Sequence, residues 1–332
     1  MPRVQGSAAA QAPPTAMEQE RISSRLDGLE LALWHLRPAD RDEQSRVVLL
    51  LHGASFPTRL AGGFEMDGVS WMSDLAAAGY DVWALDFLGY GASDDYPEME
   101  ADPTEHPPLG RRVEVALDVG RAVNHIRRRA GVDRVALIGH SWGAVVAGSY
   151  AAQHPDEISR LVLFAPFTPR DGSFEDSKPP FPAYELLTPE LRIEQFLSEV
   201  PETEATRLER DVLAVWGERW LATDETANGR DPASVRYPGG WAPDLHDAWT
   251  GADYFDPAGV TAPVLLIRGE WDTVFTREDA GWLFDALKES CDRHLVEISR
   301  ATHVMHLERG RFSLYEAVRA FLAGEDHLER VG

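Results

Sequence analysis

Residues 135–143 combine an apolar β-strand pattern, a glycine-flanked turn and the start of a helix in one short segment. The run Val-Ala-Leu-Ile precedes the pattern Gly139-x-Ser141-x-Gly143, and the small-residue stretch 144–152 follows it. Such a turn packs strand against helix so closely that the flanking positions have no room for a side chain, which explains both glycines. A serine raised on this turn can be reached by a base and by helix amides. The segment therefore predicts a nucleophile elbow centred on Ser141.

Short apolar runs alternate with helical segments along most of the chain. Runs that are buried on both faces and separated by helices are typical of a largely parallel sheet. Strands are predicted over 47–51, 82–85, 135–138, 161–164, 264–267 and 295–298. Helices are predicted, from apolar residues at helical spacing, over 71–78, 112–129, 144–154, 277–288 and 313–321. Residues 22–36 alternate apolar and polar side chains around Asp27-Gly28, which predicts an antiparallel pair at one edge.

One connection interrupts this rhythm, because the predicted strands at 161–164 and 264–267 are much further apart than neighbouring elements usually are. We interpret residues 168–255 as a lid inserted into a core that comprises 22–167 and 256–323. The lid has predicted helices over 189–199 and 203–221, and a Gly/Pro-rich piece over 237–243 that is either a hinge or a surface loop. Residues 1–21 are predicted to be a disordered tail, and 324–332 a C-terminal tail.

Further motifs follow the predicted strands in a fixed order along the chain. They are His52-Gly53-Ala54-Ser55, the D-x-x-G-x-G-x-S pattern from Asp86 to Ser93, Gly269-Glu270-Trp271-Asp272, and Ala301-Thr302-His303. With these motifs and the elbow, the chain resembles the α/β-hydrolase superfamily over about residues 22–323, with the core-plus-cap layout of esterases and prolyl aminopeptidases. The resemblance implies an α/β fold with a mostly parallel eight-stranded sheet flanked by helices, and an inserted, mainly helical lid.

The resemblance also implies a catalytic triad. Ser141 is the predicted nucleophile and His303 the predicted base, since an imidazole titrates near neutrality and can both take and return a proton. Asp272 is predicted to hold the correct histidine tautomer and to stabilise the imidazolium. His306 is the rival base, although we expect it to pack or cap at the start of the terminal helix. Glu270 is the rival acid.

A tetrahedral intermediate needs two backbone N–H donors for its oxyanion. The predicted donors are Trp142, which follows the nucleophile, and Ala54, which lies in the loop after the third strand. His52 is expected to brace that loop rather than to act in catalysis.

Composition excludes several classes of partner. A formal charge of −23 opposes binding to nucleic acid or to an anionic membrane surface, and no apolar stretch is long enough to span a bilayer. The histidines form no metal-binding spacing, and the turn at Gly89-x-Gly91 lacks the full dinucleotide pattern, so neither a metal nor an organic cofactor is expected. The single cysteine, Cys291, allows no intrachain disulfide, and a cytoplasmic location is expected.

The lid offers the evidence on substrate. It is rich in aromatic residues, most of which should pack the lid itself while some face a ligand. Residues 168–257 hold 19 acidic and 8 basic side chains, so a neutral or cationic small molecule is the favoured substrate.

The leading hypothesis is a serine hydrolase of a small, mostly apolar carboxylic ester. The alternatives are an aminopeptidase or amidase, a thioesterase, a hydrolase of carbon–carbon bonds, and a ligand receptor that has lost turnover. Epoxide hydrolases are disfavoured because they carry aspartate at the elbow. The oligomeric state is left open.

Overall fold

The computed structural model describes residues 16–39, 46–170 and 179–324. The strands are β1 (Glu18–Ser23), β2 (Glu30–Leu36), β3 (Val47–Leu51), β4 (Asp81–Leu85), β5 (Val135–His140), β6 (Ile158–Phe164), β7 (Tyr184–Leu187), β8 (Val235–Pro238), β9 (Val264–Gly269) and β10 (Arg293–Ile298). The α-helices are α1 (Trp71–Ala77), α2 (Arg112–Ala130), α3 (Trp142–Gln153), α4 (Pro189–Ser198), α5 (Arg210–Leu221), α6 (Trp241–Trp249), α7 (Arg277–Ala286) and α8 (Arg311–Ala323).

Eight strands form one sheet in the order β1-β2-β4-β3-β5-β6-β9-β10. The pairs β1–β2 and β2–β4 are antiparallel, whereas all pairs from β4 to β10 are parallel. Every residue of β3, β4 and β5 is buried, as expected for strands that are covered on both faces. The predicted eight-stranded, mostly parallel sheet is confirmed, including the edge hairpin.

Local sequence accounts for several helix ends. Helix α1 begins with a capping box, in which the Ser70 side chain accepts from the Ser73 backbone and Ser73 reciprocates. Helix α2 is capped by Gly131, whose φ of 73° places it in the left-handed region that glycine adopts without strain. The predicted core helices agree with the observed ones to within two residues at each end. In the described part of the chain, no helix is long and apolar enough to cross a membrane.

The segment between β6 and β9 contains α4, α5, α6 and the antiparallel pair β7–β8. Helix α5 begins at Arg210 rather than at 203, so the sequence prediction placed its start too early. The piece over 237–243 is not a loop, because it contains the end of β8 and the start of α6. Pro243 fits the first turn of α6, where backbone N–H groups have no helical partner. The boundaries 168–255 for a lid stay a prediction.

The two predicted tails lie largely outside the described residues, which exclude 1–15 and 325–332. At the N-terminal end the prediction was partly wrong, since β1 begins at Glu18 and pairs with β2 along its whole length.

Hydrogen bonds from buried tryptophans connect the inserted segment with the core. Trp216 and Trp220 on α5 donate their indole N–H groups to the carbonyls of Leu60 and Ser55, each at 2.9 Å. Trp142 of the core donates to Asp244 on α6, also at 2.9 Å. These bonds satisfy indole groups that burial would otherwise leave unpaired, and they hold the inserted segment over the end of the sheet where the Ser141 turn lies.

Candidate active site

Ser141 lies on a strained turn between β5 and α3. Its φ of 55° and ψ of −128° are unusual for a residue with a side chain. The flanking glycines are sterically required. A Cβ atom on Gly143 would lie 2.0 Å from the carbonyl oxygen of His52, and one on Gly139 would lie 2.5 Å from the Cα of Ala144. The close strand-to-helix packing therefore holds the serine hydroxyl at the C-terminal edge of the sheet.

Ser141, His303 and Asp272 form one hydrogen-bonded row. The Nε2 atom of His303 lies 2.9 Å from the Oγ of Ser141, and its Nδ1 lies 3.1 Å from both carboxylate oxygens of Asp272. Asp272 is itself oriented by the backbone N–H groups of Val274 and Phe275, each at 2.9 Å. Because an ionised carboxylate only accepts, Nδ1 carries the proton and Nε2 is left to accept the hydroxyl proton of Ser141.

The electrostatic surroundings favour proton uptake by His303. Burial alone would lower the pKa of this imidazole, but the charge and hydrogen bonds of Asp272, with the charge of Glu199, raise the pKa above its usual value. An imidazolium that is stabilised in this way is what a general base becomes after it has taken a proton.

The two rival residues occupy different environments. His306 lies in the short 3₁₀ turn Met305–Leu307 and not at the start of α8, which begins at Arg311. Its ring is buried, neither ring nitrogen has a hydrogen-bond partner among the described residues, and burial together with His303 lowers its pKa to about 3. Glu270 points elsewhere, since its carboxylate accepts from the Ser299 hydroxyl and the Arg300 backbone N–H, each at 2.8 Å. Neither rival joins the row.

The loop after β3 lies against Ser141. His52 braces this loop: its Nε2 accepts the backbone N–H of Phe87 at 3.1 Å, and its Nδ1 donates to the carbonyl of Gly53 at 2.7 Å. A Cβ atom on Gly53 would lie 3.1 Å from the Cβ of Ser141. Ala54 and Trp142, the predicted oxyanion donors, both line the cavity that contains Ser141. The direction of their N–H groups toward a bound oxyanion stays a prediction.

That cavity has a volume of about 300 Å³ and lies between the core and the inserted segment. Its wall is largely apolar and aromatic, with contributions from Phe56, Phe167, Phe196, Trp241, Leu245 and Trp249. Some aromatic residues of the insertion therefore face the cavity, whereas Trp216 and Trp220 are fully buried. A cavity with an apolar wall and a few polar groups suits a small organic ligand.

Comparison with known proteins identifies the family of this fold. The family model for the alpha/beta hydrolase fold matches residues 46–310. The chain belongs to the α/β hydrolase family. Several α/β hydrolases of known structure superpose over nearly its whole length. A serine hydrolase from the polyaromatic-hydrocarbon-degrading bacterium Cycloclasticus zankles aligns with 93% of this chain and 99% of its own, with a TM-score of 0.63 and 16% identity. Naproxen esterase from Bacillus subtilis aligns with 92% of this chain and 91% of its own, with a TM-score of 0.59 and 16% identity.

Curated relatives match over shorter stretches. Epoxide hydrolase B from Mycobacterium tuberculosis is 33% identical over 133 residues, which are 39% of this α/β hydrolase and 31% of that protein. The 1-acylglycerol-3-phosphate O-acyltransferase ABHD5 from Sus scrofa is 26% identical over 153 residues, which are 46% and 39% of the two chains. The matched stretch thus spans about a third of the length of these relatives.

Sequence reasoning missed one residue of the site, Glu199. This residue directly follows α4, and its Oε2 accepts the backbone N–H of His303 at 2.6 Å. Burial raises the pKa of Glu199 to about 7 against the opposing charge of His303, and the charge of Asp272 adds a smaller upward contribution. Helical periodicity places Glu199 on the same face of α4 as Arg192 and Phe196, but no local pattern indicates that this face covers the hydrogen-bonded row that contains Ser141.

Glu199, Asp272 and His303 also offer one potential metal-ligand atom each, all within 4.8 Å of one another. The ring nitrogens and carboxylate oxygens of Asp272 and His303 already take part in the hydrogen-bonded row with Ser141. This arrangement fits acid–base chemistry of the side chains themselves.

Proposed function

We propose that this α/β hydrolase cleaves a small, mostly apolar carboxylic ester through an acyl-enzyme on Ser141. The observation that carries the proposal is the 2.9 Å contact between His303 Nε2 and Ser141 Oγ on a strained elbow, with Asp272 bound to the opposite ring nitrogen. A nucleophile, a base within hydrogen-bond reach and a carboxylate that orients the base are the parts that acyl transfer requires.

The reaction has two steps. Ser141 Oγ attacks the ester carbonyl carbon while its proton passes to His303 Nε2, and the tetrahedral intermediate places its oxyanion toward the amides of Ala54 and Trp142. Collapse breaks the carbon–oxygen bond of the ester, and the alcohol leaves with the proton from His303. Water then attacks the acyl-enzyme, gives a proton to His303, and releases the carboxylic acid as Ser141 recovers its proton.

Several observations favour an ester over the other substrates. The largely apolar wall of the cavity suits an apolar acyl group. Epoxide hydrolysis is disfavoured, because the family resemblance implies an aspartate at the elbow of epoxide hydrolases and this chain has Ser141 there. Amide, thioester and carbon–carbon bond hydrolysis use the same three side chains, and substrate assays separate them. A receptor without turnover is disfavoured because all three side chains are present in hydrogen-bonded order.

Three further expectations belong to this proposal. The segment 168–255 acts as a lid that selects the substrate, because α4 and α6 supply much of the cavity wall. The favoured substrate is neutral or cationic, on the basis of the insertion's net charge, and no cofactor is needed. The protein works in the cytoplasm, in keeping with its single cysteine.

The experiment that tests the proposal is a panel of p-nitrophenyl esters, aminoacyl anilides and acyl thioesters, assayed with the native protein, Ser141→Ala and Ser198→Ala. Ser198 is an exposed serine near the end of α4 and serves as the matched control. We expect ester turnover by the native protein and by Ser198→Ala, and a loss of more than about 1,000-fold in Ser141→Ala. Turnover that survives in Ser141→Ala contradicts an acyl-enzyme on this residue.

A further inference from the structure

Arg192 places a positive charge in the wall of the active-site cavity. It lies on α4, in the same cavity wall as Ser141 and His303. Its Nε atom is buried and has no hydrogen-bond partner in the described part of the chain. Among the described residues, Arg192 also forms no salt bridge, unlike Arg170, Arg230 and Arg236 of the same segment.

A guanidinium that forms no salt bridge in a largely apolar cavity is stabilised further when an anion binds to it. The neighbouring protein groups compensate the charge of Arg192 only in part. The guanidinium donates a hydrogen bond to the hydroxyl of Tyr237, which in turn donates to the Oε2 of Glu185 at 2.8 Å. Burial raises the pKa of Glu185 against the opposing charge of Arg192, so these two groups interact electrostatically without forming a salt bridge. Gln195, one turn further along α4, adds a neutral polar group to the same part of the wall.

Arg192 lies close enough to His303 for its charge to act on the imidazole. Its charge acts on His303, whose pKa it lowers against the larger effect of Asp272. The guanidinium is thus within electrostatic reach of the base, in a cavity of about 300 Å³ that holds only a small molecule. A short carbon chain is enough to connect a group at Arg192 with an ester carbonyl at Ser141.

We propose that Arg192 forms a carboxylate-binding subsite, and that the preferred substrate is an ester that carries a free carboxylate in addition to the ester bond presented to Ser141. This inference rests on the proposed esterase function. Arginine suits the role because its planar fork of N–H donors binds carboxylates in two-point geometry. The inference runs against the preference for neutral or cationic substrates expected from the net charge of 168–257, because a guanidinium in the cavity wall lies closer to a bound substrate than most acidic side chains of that segment.

The test compares esters that differ in one charge. The mono-p-nitrophenyl ester of adipic acid carries a carboxylate on the acyl side, its methyl ester is neutral, and p-nitrophenyl 6-aminohexanoate is cationic. 4-Acetoxybenzoic acid and methyl 4-acetoxybenzoate provide the same comparison on the leaving-group side. We expect kcat/KM of the native protein to be about tenfold to 100-fold higher for the acid than for the neutral ester in one of the two series.

Three variants identify the residue responsible. Arg192→Gln should lose this preference, with most of the loss in kcat/KM falling on the acidic esters, whereas Arg192→Lys should keep part of the preference. Arg210→Gln, at an exposed arginine of the same inserted segment, is the matched control and should behave like the native protein. An equal loss of turnover on acidic and neutral esters in Arg192→Gln, or no preference for acids in the native protein, overturns the inference.

Failure of the subsite and failure of the esterase proposal give different results. Neutral esters that are hydrolysed in a Ser141-dependent way, without a preference for acids, contradict only the subsite. If no ester is hydrolysed, calorimetric titration of Ser141→Ala with monomethyl adipate and with dimethyl adipate tests the subsite by itself. Tighter binding of the monoester, lost when Arg192→Gln is added, supports it. Equal binding of both esters, or no binding, refutes it.

Discussion

Replacing Glu199 by glutamine should change the pH dependence of activity. The substitution removes a negative charge beside His303 but keeps a side-chain oxygen that can accept the His303 backbone N–H, which Glu199 Oε2 now accepts at 2.6 Å. The lost charge stabilised the imidazolium, so the pKa of His303 falls. A general base acts only when unprotonated. The acid limb of the profile of kcat/KM against pH should therefore move to lower pH in Glu199→Gln.

The size of this shift follows from the geometry. A carboxylate oxygen of Glu199 and a ring nitrogen of His303 lie within 4.8 Å of each other. At this separation two unit charges interact by about 0.9 kcal/mol in bulk water and by about 3.5 kcal/mol at an effective dielectric constant of about 20. Since about 1.4 kcal/mol corresponds to one pKa unit, the range is about 0.6 to 2.5 pH units. Burial raises the pKa of Glu199 to about 7, so native Glu199 is partly neutral where His303 titrates, and the lower half of the range is expected.

The assay is the initial rate of hydrolysis of a neutral p-nitrophenyl ester, read at the isosbestic wavelength of nitrophenol and nitrophenolate across the titration range of histidine. Glu270→Gln is the matched control. Glu270 lies two residues before Asp272 in the sequence, but its carboxylate accepts from Ser299 and Arg300 instead of His303. Its profile should coincide with that of the native protein. An acid limb that stays in place in Glu199→Gln, or that moves to higher pH, refutes the assignment of Glu199 as a group that acts through His303.

Three further variants test other parts of the site. Asp272→Asn should lower kcat by about 10,000-fold, because the wrong histidine tautomer is favoured, with the fold intact by circular dichroism. His306→Phe should keep kcat within about tenfold and should not lower the urea midpoint, since it removes two buried nitrogens that have no partner among the described residues. Gly143→Ala should lower both kcat and the urea midpoint, because its Cβ would overlap the His52 carbonyl oxygen at 2.0 Å. For these variants, a milder loss in Asp272→Asn than in His306→Phe, or a native-like Gly143→Ala, would contradict the proposed arrangement.

The core was predictable from sequence because its signals are local. Apolar runs such as 47–51 and 135–138 are buried on both faces in the sheet, and the glycines around Ser141 mark a turn that only small residues can form. Spacing within a motif also separates neighbouring candidates, since Asp272 and Glu270, two residues apart, face different partners.

The inserted segment was harder to predict, for a physical reason. Residues 237–243 contain glycines and prolines that suggest a loop, yet tertiary pairing with β7 and packing on the core produce a strand and a helix there. Arg192 and Glu199 have ordinary positions on an amphipathic helix. Their roles depend on how α4 docks over the sheet, and long-range contacts of this kind leave no mark in local sequence.

An activated serine at position 141 is the central claim, and labelling with a fluorophosphonate tests it most directly. The native protein, Ser141→Ala and His303→Ala are incubated with the probe, intact masses are measured, and the adduct is located by peptide mapping. We predict one adduct on Ser141 in the native protein, none in Ser141→Ala, and much slower labelling in His303→Ala. A folded native protein that takes up no probe, or an adduct on another residue, would contradict the proposed nucleophile.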